Sequence, residues 1–132
     1  MRTTLFIASI ALLVACSRAA SAPADVKAGQ SILLAEGQSA TVSNSTVVVR
    51  FVSANDSRCP SDVVCVSAGE AVISLSLAGA GASRTDTVRL VKQPGAVTYG
   101  GFVFEATDLQ PYPKSTGPAS AKTLTLRIGT AP

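Results

Sequence analysis

The residues Ile73-Ser74-Leu75-Ser76-Leu77 alternate apolar and hydroxyl side chains one for one, and the same period of two recurs in short runs along most of the chain after Gly29. A two-residue period sends successive side chains to opposite faces of a strand, so each run has one face to bury and one to leave in water. Gly, Pro, Ser and Thr interrupt the runs throughout, and the i, i+3, i+4 spacing of an amphipathic helix is not sustained over any stretch of about ten residues. The chain is therefore restricted to an all-β fold whose strands are antiparallel and joined by short turns.

The individual runs set the expected elements. Residues 31–35 and 38–42 flank Glu36-Gly37 and read as a short edge strand or a bulged pair. Residues 46–53 place Val47, Val49 and Phe51 on one face, with Val48, Arg50 and Val52 on the other. Residues 71–77 and 85–91 form a hairpin about Gly79-Ala80-Gly81, with Val88 and Leu90 facing in. Residues 96–99 and 102–109 flank Gly100-Gly101, which marks a bulge or a tight turn, and residues 123–128 close the domain with Leu124, Leu126 and Ile128 inward. Six to eight strands in about 100 residues predict a single small antiparallel β-sandwich, immunoglobulin-like or similar, in preference to a small barrel. The expected core is Leu33, Val47, Val49, Phe51, Ile73, Leu75, Leu77, Val88, Leu90, Phe102, Phe104, Leu124, Leu126 and Ile128.

The N-terminus is of a different kind. Arg2 precedes an apolar run from Leu5 to Val14 that is too short to cross a hydrocarbon core, and the run ends in Leu13-Val14-Ala15-Cys16. This resembles the lipobox of bacterial lipoproteins. The resemblance implies a signal peptide over residues 1–15, acylation of the Cys16 thiol, and a membrane partner reached through two or three acyl chains, which together hold a protein stably. The plainer alternatives are an ordinary signal cut near Ala20 or Ala22, or an uncleaved anchor. Ser17 stands where lipoprotein sorting in enterobacteria uses Asp for inner-membrane retention, so the resemblance implies the outer membrane, with the protein facing the periplasm or the surface. Residues 16–29, rich in Ala, Ser, Pro and Gly, read as the lipidated end and a flexible tether, and residues 30–132 as the sandwich domain.

With Cys16 taken by lipid, Cys59 and Cys65 remain as an even pair, and an exported chain should join them. Such a short ring stabilises a small domain by about 2 kcal/mol in the loop-entropy model. Asp56-Ser57-Arg58-Cys59-Pro60, then Cys65-Val66 and Ala68-Gly69-Glu70-Ala71, resembles a motif of small bacterial exported proteins and lipoproteins with no assigned activity. Ser67 stands where that group commonly has Trp, so an aromatic lid is missing. Asp56, Ser57 and Arg58 form the candidate recognition loop. The structural alternative makes them a corner in which Asp56, Asp62 or Glu70 pairs with Arg58, and a third reading makes Arg58 the projecting residue of a protease-inhibitor loop.

The remaining composition excludes more than it offers. The chain has no His and no Trp, and its formal charge of +3 falls by one when Arg2 leaves with the signal. A chain without His lacks the usual general base of hydrolases and the usual zinc and copper ligands. Its basic residues are scattered, unlike a nucleic-acid footprint. No catalytic residue, cofactor or metal is therefore expected, and the chain reads as a non-enzymatic binding or structural module of the cell envelope acting on an envelope protein or polymer. A small envelope-polymer hydrolase and an inhibitor of envelope proteases are the alternatives. Residues 110–121, with three prolines, should fold back over a sheet edge or the end of the core, or else offer Tyr112 as a docking epitope.

Overall fold

The computed structural model describes residues 22–92 and 95–132, and within them the chain forms nine strands and no helix. They are β1 (Ala24–Val26), β2 (Ser31–Ala35), β3 (Ser39–Val42), β4 (Val48–Asp56), β5 (Ala71–Ala78), β6 (Arg84–Leu90), β7 (Ala96–Tyr99), β8 (Phe102–Gln110) and β9 (Thr123–Thr130). Two sheets face each other, one ordered β1-β3-β4-β5-β6 and the other β2-β9-β8-β7. All pairs are antiparallel except β1 with β3. This is the expected sandwich, and its interior is filled from the alternating strands. Val49 and Phe51 of β4, Ile73, Leu75 and Leu77 of β5, Val88 of β6, Phe104 of β8 and Leu124, Leu126 and Ile128 of β9 are all fully buried.

The hairpins fall where the turn residues put them. Tyr99 pairs with Phe102, so Gly100 and Gly101 are the two central residues of the β7–β8 turn, and both have positive φ (58° and 80°). This tight turn suits the right-handed twist of the strands and strongly favours glycine. At the other hairpin, the Tyr99 hydroxyl accepts from Ala80 N at 3.3 Å and donates toward Ala82 O at 3.3 Å, while Arg84 donates to Thr98 O at 2.6 Å. The β5–β6 turn is thereby fastened across the sandwich to β7.

Three expectations are corrected. First, β2 and β3 do not pair: β2 runs beside β9 in one sheet, β3 beside β4 in the other, and Glu36-Gly37 is the corner that carries the chain across. Gly37 N donates to Phe51 O at 2.7 Å and the Gln38 amide oxygen accepts from Ala35 N, so the corner is bonded at both ends. Second, Leu33 is 66% exposed and Leu34 is 1% exposed. A run of consecutive apolar residues fits either phase of a strand, and a one-residue shift exchanges its faces. Phe102 and Leu90 likewise flank the core, only partly buried. Third, the span expected as a tether, 16–29, contains a strand, because Ala24–Val26 pairs in parallel with Ala40–Val42 and Val26 is buried.

Two register shifts redirect side chains at one end of the sandwich. In β4, Phe51 pairs with Leu75 but Ser53 pairs with Ser74, so Val52 is one residue too many. Residues opposite each other in an antiparallel pair share a face, and Ala54 and Asp56 lie opposite the inward Ile73 and Ala71. The bulge thus turns Asp56 toward the interior, where an unbroken alternation from Phe51 would have placed Asn55. In β8 the shift falls at Thr107 and brings Leu109, not Asp108, opposite the buried Leu124. Bulges redirect side chains in this way and increase the local twist.

The phase of β2 can be checked directly. Leu34→Ala should lower the unfolding free energy by about 2–5 kcal/mol, whereas Leu33→Ala should stay within about 0.5 kcal/mol of the parent, both measured by denaturant unfolding.

Candidate functional site

The site is the end of the sandwich where β4, β6 and β8 finish and β5, β7 and β9 begin. Residues 57–70 connect β4 to β5 there, and residues 111–122 connect β8 to β9. The Cys59–Cys65 disulfide closes the first of these connections, with Cα atoms 5.9 Å apart. The flanks of the ring are paired like a short ladder: Ser57 N donates to Glu70 O at 2.8 Å and Cys59 N to Ala68 O at 2.9 Å. The Ser57 hydroxyl also donates to Glu70 O, at 2.9 Å. Gly69, with φ of 65°, lies so close to Ser57 that a Cβ there would meet the Ser57 carbonyl oxygen, so this flank admits only glycine.

The bulge in β4 delivers Asp56 to this end with its side chain 4% exposed. Arg58 meets it with two parallel hydrogen bonds, Nε to Oδ1 and Nη2 to Oδ2, both 2.7 Å. The same Nη2 donates to Leu109 O at 2.8 Å, the carbonyl brought into reach by the bulged end of β8. Lys122 Nζ donates to Asp56 Oδ2 at 2.8 Å and to Pro111 O at 2.9 Å, and the Arg58 guanidinium lies 4.3 Å from the centre of the Tyr112 ring. Burial alone would raise the Asp56 pKa, but the hydrogen bonds from Arg58 and Lys122 outweigh it and lower the value to about 2. The carboxylate in turn raises the pKa of Arg58. Among the described residues no buried side-chain nitrogen or oxygen lacks a hydrogen-bond partner.

These contacts settle the fate of Arg58. Of the three possible carboxylate partners it takes Asp56; Glu70 binds Arg89 at 3.0 Å, and Asp62 accepts from the amide and hydroxyl of Ser115 at 2.8 and 2.6 Å. Those two bonds hold the Asp62 pKa below its usual range. Of the candidate recognition loop, the Arg58 side chain is only 7% exposed and is paired with Asp56, so it does not project as a free loop residue, and of the three residues Ser57 alone is exposed. A guanidinium folded under Tyr112 also lacks the projection that an inhibitor loop needs. The proline-rich connection folds back over this end, as the sequence suggests, and Ser61 N donates to Pro113 O at 3.1 Å to tie the two loops together.

Between the folded-back loop and the end of β4 lies an open groove of about 580 Å³. Asp56, Tyr112, Lys114, Thr116, Ser120 and Lys122 supply its polar lining, and three prolines supply its stiff walls. This groove is not foreshadowed by any short motif, because it is made by residues 54–56 meeting residues 111–122. The sequence does carry one signal of it, a proline-rich segment too polar to be core yet bounded by two strands. Cys16 lies outside the described residues. Among the described residues no group of three or more His, Cys, Asp or Glu is placed to hold a metal ion. No protein-family model, curated protein or solved structure matches this chain.

Two outcomes are expected of the ion network. Arg58→Ala should cost about 3 kcal/mol of stability, since it strips a buried carboxylate of its main partner and removes a donor from Leu109 O; thermal and denaturant unfolding measure this. The lowered pKa of Asp56 makes stability depend on acid. A carboxyl that titrates at about 2 when folded and near 3.8 when unfolded contributes fully above pH 4 and loses its contribution as the pH falls through 2. Unfolding free energy should therefore drop by about 2 kcal/mol across that window, and this part of the drop should vanish in Asp56→Asn.

Proposed function

We propose that the chain is a lipid-anchored binding module of the bacterial cell envelope, held by acyl chains on Cys16 and presenting the groove between the β8–β9 loop and the end of β4 to an envelope protein or polymer. The lipobox-like Leu13-Val14-Ala15-Cys16 supports the anchor, and Ser17 supports an outer-membrane destination. The observation that carries the binding reading is the fixed state of the groove. Its two walls are joined by Lys122 bridging Asp56 and Pro111, by Arg58 beneath Tyr112, and by the Ser61–Pro113 and Asp62–Ser115 bonds. Loops held in place before a partner arrives lose less entropy when it binds.

The chemistry of the groove supports binding more than turnover. Lys122 Nζ, the amine nearest to Ser120 in sequence, donates to a carboxylate and a carbonyl and makes no hydrogen bond to a Ser hydroxyl that it could activate. Asp56 is held ionised by two cations, whereas a general acid needs a raised pKa.

Cys16→Ala should move the protein from the membrane to the soluble envelope fraction and remove acyl mass from the N-terminal peptide. Unchanged partition together with an unmodified Cys16 would overturn the anchor. A photo-crosslinking residue at Thr116 in the groove should capture a discrete adduct in intact cells that the same residue at Leu33, on the outer face of β2, does not. Identical capture at both positions would overturn the groove as the binding site.

A further inference from the structure

The disulfide ring carries its apolar residues on the outside. Val64 and Val66, on either side of Cys65, are 101% and 111% exposed, and Val63 is exposed beside them. Val91, just past the end of β6, and Tyr112 add exposed apolar surface at the same end of the sandwich. Isolated surface valines need no explanation, but a ring rigidified by a disulfide, on which Val64 and Val66 pack against nothing and Val63 is half exposed, is a surface suited to a second apolar phase. Five of the seven large hydrophobics exposed among the described residues lie at this end.

The direction of the chain says which phase. β1 is parallel to β3, and β3 is antiparallel to β4, whose C-terminal end leads into the ring. The N-terminal end of β1, at Ala24, is therefore directed toward the ring's end of the sandwich. Ala24 is level with Ala40 and Val49, and from Val49 to Asp56 the sheet extends about 20 Å toward the ring. Residues 17–23 span at most about 25 Å. An acyl group on Cys16 can thus reach the ring's end of the sandwich.

We infer that the Val63-Val64-Cys65-Val66 tip is a second membrane contact, which inserts into the lipid interface beside the Cys16 anchor and sets the orientation of the head. The inference rests on the anchored reading proposed above. Tyr112 has the amphipathic ring that suits the headgroup level, and the exposed ammonium groups of Lys92 and Lys114 suit lipid phosphates. The occupant is the bilayer that holds the anchor. With the tip inserted, the groove lined by Lys114 and Lys122 lies near the membrane surface and takes a partner that is itself at that surface.

The chain has no Trp, so Val64→Trp introduces a single reporter at an exposed position. The full protein, purified from membranes and placed in vesicles of phosphatidylethanolamine and phosphatidylglycerol, should show emission shifted to the blue and quenched by brominated acyl chains. Leu33→Trp, on the outer sheet face, should show neither. Acyl mass at Cys16 with Val64→Trp emission unchanged from water would overturn the tip contact and leave the anchor standing. No acyl mass at Cys16, with a blue shift and bromolipid quenching when vesicles are added to the Val64→Trp chain, would overturn the anchor and leave the tip. A blue shift without bromolipid quenching would mean that protein covers the valines, and would overturn the lipid assignment. In the unacylated Cys16→Ala chain, Val64→Ser should lower vesicle partition about tenfold at an unchanged melting temperature. Equal partition of the two chains would overturn the contact.

Discussion

The Asp56 carboxylate is held as an ion within the end of a sandwich too small to hide a charge without compensation, and the arrangement of that end follows from how it is compensated. Taking a carboxylate out of water costs several kcal/mol unless its oxygens are fully bonded by opposite charge. Arg58 supplies two parallel bonds from the start of the disulfide loop and Lys122 a third from the end of the proline-rich loop. Each cation also reaches a backbone carbonyl, Arg58 that of Leu109 in β8 and Lys122 that of Pro111 at the start of its own loop. Two loops far apart in sequence are consequently locked to one side chain, and the groove is the space left between the proline-rich one and the end of β4. Such a pair is not a large net source of stability relative to apolar packing; what it contributes is a single arrangement of two segments that carry no regular secondary structure.

The network depends on two irregularities of the sheets. Without the extra residue at Val52, Asp56 would face solvent, where an exposed ion pair with Arg58 would be worth less than about 1 kcal/mol and would hold neither loop. Without the shift at Thr107, the carbonyl and side chain of Leu109 would not present themselves together to Arg58 and to the core. The disulfide acts at a different level. It shortens the excursions of residues 59–65 but touches neither Asp56 nor Lys122, so the ring and the ion network restrain the same loop independently, one by chain entropy and the other by charge.

How much of this was legible in the sequence divides along the same line. The clean alternation of Ile73, Leu75 and Leu77, and of Leu124, Leu126 and Ile128, reports a regular strand with one buried face, and those residues are in the core. The glycine pair at 100–101 and the glycines at 79 and 81 report turns for steric reasons that do not depend on context. Periodicity fails where two phases fit equally, as at Leu33 and Leu34, and where a bulge inserts a residue, as at Val52, because a bulge is a property of the paired strands and leaves no mark in one of them. The crossing of the chain between sheets at Glu36-Gly37 is hidden for a related reason: a corner and a hairpin turn use the same residues. The partner of Arg58 was open among three carboxylates, since proximity in sequence places all three within reach and only the fold engages Glu70 with Arg89 and Asp62 with Ser115.

At this end the usual distribution of polarity is inverted over a distance of a few residues. Arg58, a charged side chain, is buried, while Val63, Val64 and Val66, which are apolar, stand in solvent. A short ring cannot turn all its side chains inward, and the flank that carries Arg58 is committed by the ion pair with Asp56, so the far side of the ring must face out. A chain that only needed to cap its sandwich would place polar residues on that far side, where they cost nothing. Val64 and Val66 there expose their full apolar surface to water with no packing to offset it, a cost relieved only against another apolar surface. Under the anchored reading proposed above, with a lipobox-like cysteine ahead of a β1 that opens toward this same end, the proposed surface that meets both conditions is the bilayer.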